Sequence, residues 1–370
     1  MSVSFLPGFN RRQLLLGAAS VPALALPAQA QTGDPAAFEK LIQAAKQEGS
    51  VIVDGPPNDD VREAMTRGFA SRYGIKLSYI SSGSSKSGAR VRAERAAGKY
   101  LLDVFISGPE TTLQSFLSSG WLDPVSAILV DPEVTDGKGW TDNHIWYVDP
   151  NRVVARVLRF IQPVLAINTK ILPATELTTW KSVIDPKWRG KFIAKDPSIP
   201  GAGASLISYF YLTMGPDFVK SLYIDQKPVI SRDPRQAAQS LAVGNVPFWV
   251  GPDQSEVIRF QNLGYPIEWV SPTDGPGVLS GGFGFVGLVN KAPNSNAAKL
   301  FINWLMSREG QQLFSKAINS MSLRTDIDQT WAPEYTRPKL GGNYLDTYDY
   351  KFILEQRDPA YEKAQKLLGL

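Results

Sequence analysis

Between residues 36 and 108 the sequence changes its hydrophobic period again and again, and this alternation limits the possible fold more than any other feature. Phe38, Leu41, Ile42 and Ala45 recur at helical spacing with charged residues between them, and Gly49 ends the run. Val51-Ile52-Val53 reads as a buried strand stopped by Gly55-Pro56-Pro57. Residues 60–73 are amphipathic again and 76–80 form a second strand. A small polar loop at 81–87 opens onto a helix over 88–100, and 102–107 form a third strand ended by Gly108-Pro109. Strand, helix, strand, helix, strand predicts an α/β unit with a mostly parallel sheet flanked by helices.

The same pattern restarts after the middle. Residues 156–168 are apolar and β-prone, 180–185 make a short helical turn, and 191–194 form a strand ended by Asp196-Pro197. Helices are expected over 204–214, 216–224 and 233–243, with a further strand at 246–250. A chain of 370 residues exceeds what one hydrophobic core usually covers, so two lobes are expected.

Residues 1–30 stand apart from this pattern. They hold no Asp or Glu, their only charges are Arg11 and Arg12, and residues 14–26 are apolar and small. This is the three-part layout of an export signal, with Ala28-Gln29-Ala30 as the small-residue cleavage site. The apolar run falls short of the ~20 residues a membrane span needs. Asn10-Arg11-Arg12-Gln13-Leu14-Leu15-Leu16 has the form of a twin-arginine signal, the alternative being a general secretory one. A soluble, periplasmic mature chain starting at Gln31 is expected.

Composition removes several chemistries. With no cysteine there is no lipobox, disulfide, thiol nucleophile or Cys-ligated zinc. His144 is the single histidine, which excludes histidine-based metal motifs, and no Gly-x-Ser-x-Gly elbow is present. Without Arg11 and Arg12 the 39 basic residues become 37, against 35 acidic ones, and their dispersal gives no case for nucleic acid.

Several stretches in their order carry a resemblance: Gly83-Ser84-Ser85, residues 102–108 (LDVFISG), 163–170 (PVLAINTK), 180–191 (WKSVIDPKWRGK), Asp196-Pro197 and 297–314 (AAKLFINWLMSREGQQLF). Together the chain resembles the extracellular solute-binding proteins of ABC importers, in the branch holding ferric-iron, polyamine and related binders. The resemblance implies a two-lobed periplasmic-binding-protein-like fold of type II, with hinge crossovers and a ligand held in the cleft. It implies a monomer that delivers a small molecule to a membrane permease and ATPase, with no cofactor and no catalysis. The lobes are placed at 31–155 with 275–318, and at 156–274 with the tail 319–370. Ferric binders of this kind carry adjacent tyrosines where this chain has Gly244-Asn245-Val246-Pro247-Phe248-Trp249-Val250, which disfavours free ferric iron.

Candidate contacts follow from loops that leave strands and enter helices. Ser82, Gly83, Ser84 and Ser85, with Ser107 and Gly108 at the end of the next strand, offer backbone amides and hydroxyls to an anion. Gly201, Ala202, Gly203 and Ser205 mirror them in the second half, with Arg232 as a closing charge, and Asn58 completes the first-lobe set. Trp249 beside Asp253 suits a cationic amine instead. A small organic or inorganic anion is therefore expected, with a polyamine or an iron complex as alternatives within the fold. A secreted carboxylate-based hydrolase and a ligand-presenting sensor partner are the alternatives outside transport.

Overall fold

The computed structural model describes residues 33–370 apart from Gly83, Pro200 and Leu340, and only the backbone at Ser84 and Ser85. The export segment expected at 1–30 lies outside the described residues. In chain order the strands are β1 (Ser50–Gly55), β2 (Lys76–Ser81), β3 (Val104–Ser107), β4 (Leu122–Asp123), β5 (Val154–Arg156), β6 (Phe160–Ile161), β7 (Leu165–Asn168), β8 (Ile193–Lys195), β9 (Val229–Ser231), β10 (Phe248–Val250), β11 (Ile267–Trp269), β12 (Gly277–Ser280), β13 (Phe285–Val289) and β14 (Tyr344–Asp346).

The opening alternation folds as its pattern dictates. Asp34 caps helix Pro35–Glu48 by accepting the Ala36 and Ala37 amides, and Gly49 leaves it in the left-handed conformation. β1 pairs in parallel with both β2 and β3, and the helices between them supply the crossovers. The third helix spans Ser84–Ala96, four residues ahead of its expected start, because the Ser/Gly loop already carries the first helical turn.

The first sheet runs β2-β1-β3-β13-β4, with β5 also on β13. β13 arrives from late in the chain and lies antiparallel to β3, β4 and β5. All five of its residues are buried, since both faces are covered. Val286 and Leu288 enter a cluster with Val51, Val53 and Phe301, whereas Phe285 and Val289 enter one with Phe105 and Phe116. Gly287 is required there: a Cβ would lie 2.1 Å from the Phe105 ring.

The second sheet runs β11-β7-β10-β8-β9 and is also clad on both faces. Phe248 and Val250 face one cluster, with Trp180, Tyr209 and Phe210; Trp249 faces the other, with Ile193, Leu241 and Phe260. A third sheet, β14-β12-β6, is built from the crossing strands themselves. β6 leads from the first sheet to the second, β12 leads back, and β14 of the tail pairs in parallel with β12. Beyond β14 the tail divides. Phe352 and Ile353 pack in the Phe105 cluster, whereas Ala364 of helix Asp358–Leu368 packs in the Trp180 cluster.

Candidate functional site

The crossing strands form the back of a cavity of about 320 Å³. Its first wall is Gly108, Pro109 and Glu110, just past the end of β3; its second is Gly201, Ala202, Ser205, Leu206 and Tyr209. Gln162, Val278, Gly282 and Phe283 close it from the crossings, and Thr347 and Tyr348 from the tail. Strand ends and crossings meeting at one crevice is where an open α/β sheet places its ligand.

The second wall is the start of helix Ala202–Thr213. Gly201 takes φ 79°, and no side chain caps the helix. Ala204 N bonds Ile199 O at 3.1 Å and Ser205 N bonds Gly201 O at 2.8 Å. The amides of Ala202 and Gly203 meet no acceptor among the described residues. Gly203 is buried, and a Cβ on it would lie 2.5 Å from the Asp196 carbonyl oxygen, so the helix start is pressed onto the loop behind it. An unfilled first turn is a donor site for an acceptor of negative charge.

The first-lobe loop is arranged differently. Asp54, buried at the end of β1, accepts hydrogen bonds from Ser82 Oγ and Ser87 Oγ at 2.7 Å each, and from Arg90. The protein's own carboxylate thus stands at the start of helix Ser84–Ala96. Gly83 and the Ser84 and Ser85 side chains lie outside what is described. Ser107 is buried at the end of β3, and Asn58 caps helix Asp59–Tyr73, accepting Val61 N at 3.0 Å.

Of the expected contacts, Gly108, Gly201, Ala202 and Ser205 line the cavity, and Gly203 lies beside them. Asn58, Ser82 and Ser107 lie outside the cavity lining, and three further residues are engaged elsewhere. Arg232 is exposed and ion-paired to Asp196, outside the cavity lining. Trp249 is 1 % exposed in the core, because strand alternation turns it away from the face of Phe248 and Val250. Asp253 caps helix Gln254–Asn262, accepting Glu256 N and Ser255 Oγ, so the expected aromatic–carboxylate grip for an amine does not form.

Tyr209 is buried and yet borders the cavity. Its hydroxyl donates to Pro276 O at 2.7 Å and receives Trp180 Nε1 at 3.3 Å. Burial pushes the phenol up to about 12, which keeps it neutral. Glu110, Gln162, Phe283, Thr347 and Tyr348 were not singled out as contacts. Glu110 had a signal, lying two residues past Gly108; the tail residues had none, since only pairing of β14 with β12 brings them here.

Two sheets joined by crossing strands, with a cavity where the crossings meet, define a two-lobed solute-binding fold. The family of bacterial extracellular solute-binding proteins matches residues 30–312, and the chain belongs to it. A protein of Haemophilus influenzae, itself uncharacterized, is 26% identical over 335 residues, covering 86% of this chain and 91% of its own. The periplasmic binding protein AfuA of Actinobacillus pleuropneumoniae, solved with exogenous fructose-6-phosphate, is 20% identical with a TM-score of 0.63, over 87% of this chain and 99% of its own. The Trichodesmium protein IdiA (FutA), solved in complex with iron and citrate, is 18% identical with a TM-score of 0.66, over 86% and 99%. Proteins of this kind are the solute-binding components of ABC transporters; they bind rather than catalyse. No helix among the described residues is long and apolar enough to cross a membrane.

Proposed function

We propose that this protein captures a small organic anion, its anionic group held by the Ala202 and Gly203 amides, and delivers it as a monomer to an ABC permease. The carrying observation is the uncapped start of helix Ala202–Thr213 on the cavity wall, two amides without an acceptor among the described residues. A helix dipole adds typically 0.3–1 kcal/mol for an anion near such a start, and hydrogen bonds to a charged group about 1.5–3 kcal/mol each. The first lobe contributes Gly108 and the wall after β3, while at its other helix start Asp54 places the protein's own carboxylate, engaged by Ser82, Ser87 and Arg90. The fructose-6-phosphate in AfuA and the citrate in IdiA are organic anions, which agrees with this class.

Bare ferric iron fits less well, because the Tyr209 hydroxyl is engaged by Pro276 and Trp180 and residues 244–250 hold no tyrosine pair. Polyamines fit less well because Trp249 and Asp253 are committed elsewhere. The lobes are taken as 31–155 with 275–318 and as 156–274 with part of the tail, closing on the ligand as hinged bodies. Residues 1–30 are taken as a twin-arginine signal removed after Ala30, which releases a periplasmic protein without a lipid anchor. Calorimetric titration of the mature chain with inorganic phosphate, fructose 6-phosphate, citrate, spermidine and ferric chloride tests the ligand class. Binding of spermidine or ferric ion with no response to the three anions would reverse it.

A further inference from the structure

We propose that Glu110 reads hydroxyl donors on the bound solute, and that Arg357 of the C-terminal segment is the positioning residue that holds Glu110 for this task. The inference rests on the anion reading above and specifies the opposite end of the same ligand.

Glu110 lines the cavity and its side chain is 31% exposed, so its carboxylate is both held and reachable. An ionised carboxylate only accepts hydrogen bonds, which means that the ligand group it meets is a donor. Left alone it would repel an anionic solute. Arg357 Nη1 stands 2.9 Å from Glu110 Oε2 and offsets that charge. At 1% exposure the Arg357 side chain is buried too deeply to grip a solute itself. Its Nε donates to Asp358 Oδ1 at 2.7 Å, which fixes the guanidinium plane. Its carbonyl accepts Ser208 Oγ at 2.9 Å, from the helix whose first turn lines the cavity. Arg357 therefore ties the carboxylate of one wall to the helix of the other.

The remaining surface has matching chemistry. Tyr209, Phe283 and Tyr348 border the same cavity and offer apolar ring surface, and Gln162 adds a polar side chain. A carboxylate acceptor at one end, aromatic rings along the wall and anion-seeking amides at the other suit a hydroxylated anion of the sugar phosphate type. Inorganic phosphate has the anionic end and lacks the carbon chain with its hydroxyls.

Isothermal titration of the mature chain with fructose 6-phosphate and with inorganic phosphate, across four variants, separates these contributions. Glu110→Gln should weaken fructose 6-phosphate about tenfold or more while phosphate changes less than about twofold, since a hydrogen bond to a charged group is lost only for the hydroxylated ligand. Arg357→Met should weaken both ligands through the uncompensated Glu110 charge. The double variant Glu110→Gln with Arg357→Met should restore phosphate and leave fructose 6-phosphate weak, and Arg357→Lys should retain part of the wild-type affinity. If Arg357→Met fails to fold, the Glu110→Gln comparison still decides. Equal effects of Glu110→Gln on both ligands, no effect on either, or tighter fructose 6-phosphate binding would overturn the assignment and leave the anion reading standing. Failure of the wild-type chain to bind fructose 6-phosphate would overturn the assignment alone, and failure to bind inorganic phosphate and citrate as well would overturn the anion reading with it.

Discussion

Arg156 and Asp346 form a two-pronged ion pair, Nη1 to Oδ2 at 2.9 Å and Nη2 to Oδ1 at 3.1 Å, which ties the first crossing of the chain to the tail strand. Arg156 is 3% exposed, and Arg159 approaches the same carboxylate at 3.8 Å. Removing the carboxylate leaves a buried guanidinium uncompensated. Asp346→Ala should therefore cost about 3–5 kcal/mol in urea unfolding. A loss under 1 kcal/mol would show that solvent or Tyr348 replaces the partner.

Trp249 is core. Trp249→Ala should destabilise the fold by about 3–5 kcal/mol, the range for emptying a large aromatic site, and change the affinity for any anion by less than about twofold. Calorimetry well below the variant's melting temperature checks this. A large affinity loss in a folded variant would return Trp249 to the ligand site.

Tyr209 links the cavity to alkaline stability. Its folded phenol titrates at about 12 and an unfolded one near 10, so the fold holds the proton longer. The contribution is complete below about pH 10 and is lost as pH rises through the folded value. Tyr209→Phe should flatten the fall in stability between about pH 10 and 12, where Tyr147, also pushed to about 12 by burial, still contributes.

The pair Arg11 and Arg12 is open to a separate test. Changing both to Lys preserves the charge, so it should block twin-arginine export while sparing general secretion. Normal periplasmic yield of that variant would remove the twin-arginine assignment.

The opening alternation was legible because local patterns decide it: Gly49 and Gly55 end elements where the hydrophobic period changes, whereas Asn58, expected as a ligand contact, is the cap of helix Asp59–Tyr73. The second wall was legible for the same reason, since Gly201 and Ser205 sit at a strand-to-helix loop. The first-lobe grip was misjudged at Asp54, which joins Ser82 and Ser87 only when β1 lies beside β2. Trp249 was misjudged because a three-residue strand with both faces buried gives no alternation to read. Thr347 and Tyr348 reach the cavity, and Arg357 reaches Glu110, through tertiary pairing more than 60 residues distant in sequence, as in Thr347 Oγ1 to Leu279 O, and no local signal encodes that.

If the Ala202 and Gly203 amides hold the anion, Ala202→Pro removes one of the two donors from the cavity wall. Ala202 is the first residue of its helix, where proline keeps helical geometry and removes only one amide donor. The variant should keep an unchanged fold by circular dichroism and a melting temperature within a few degrees of wild type, and lose about tenfold or more in calorimetric affinity for fructose 6-phosphate and inorganic phosphate alike. Unchanged affinity for both ligands in the folded variant would contradict the amide grip.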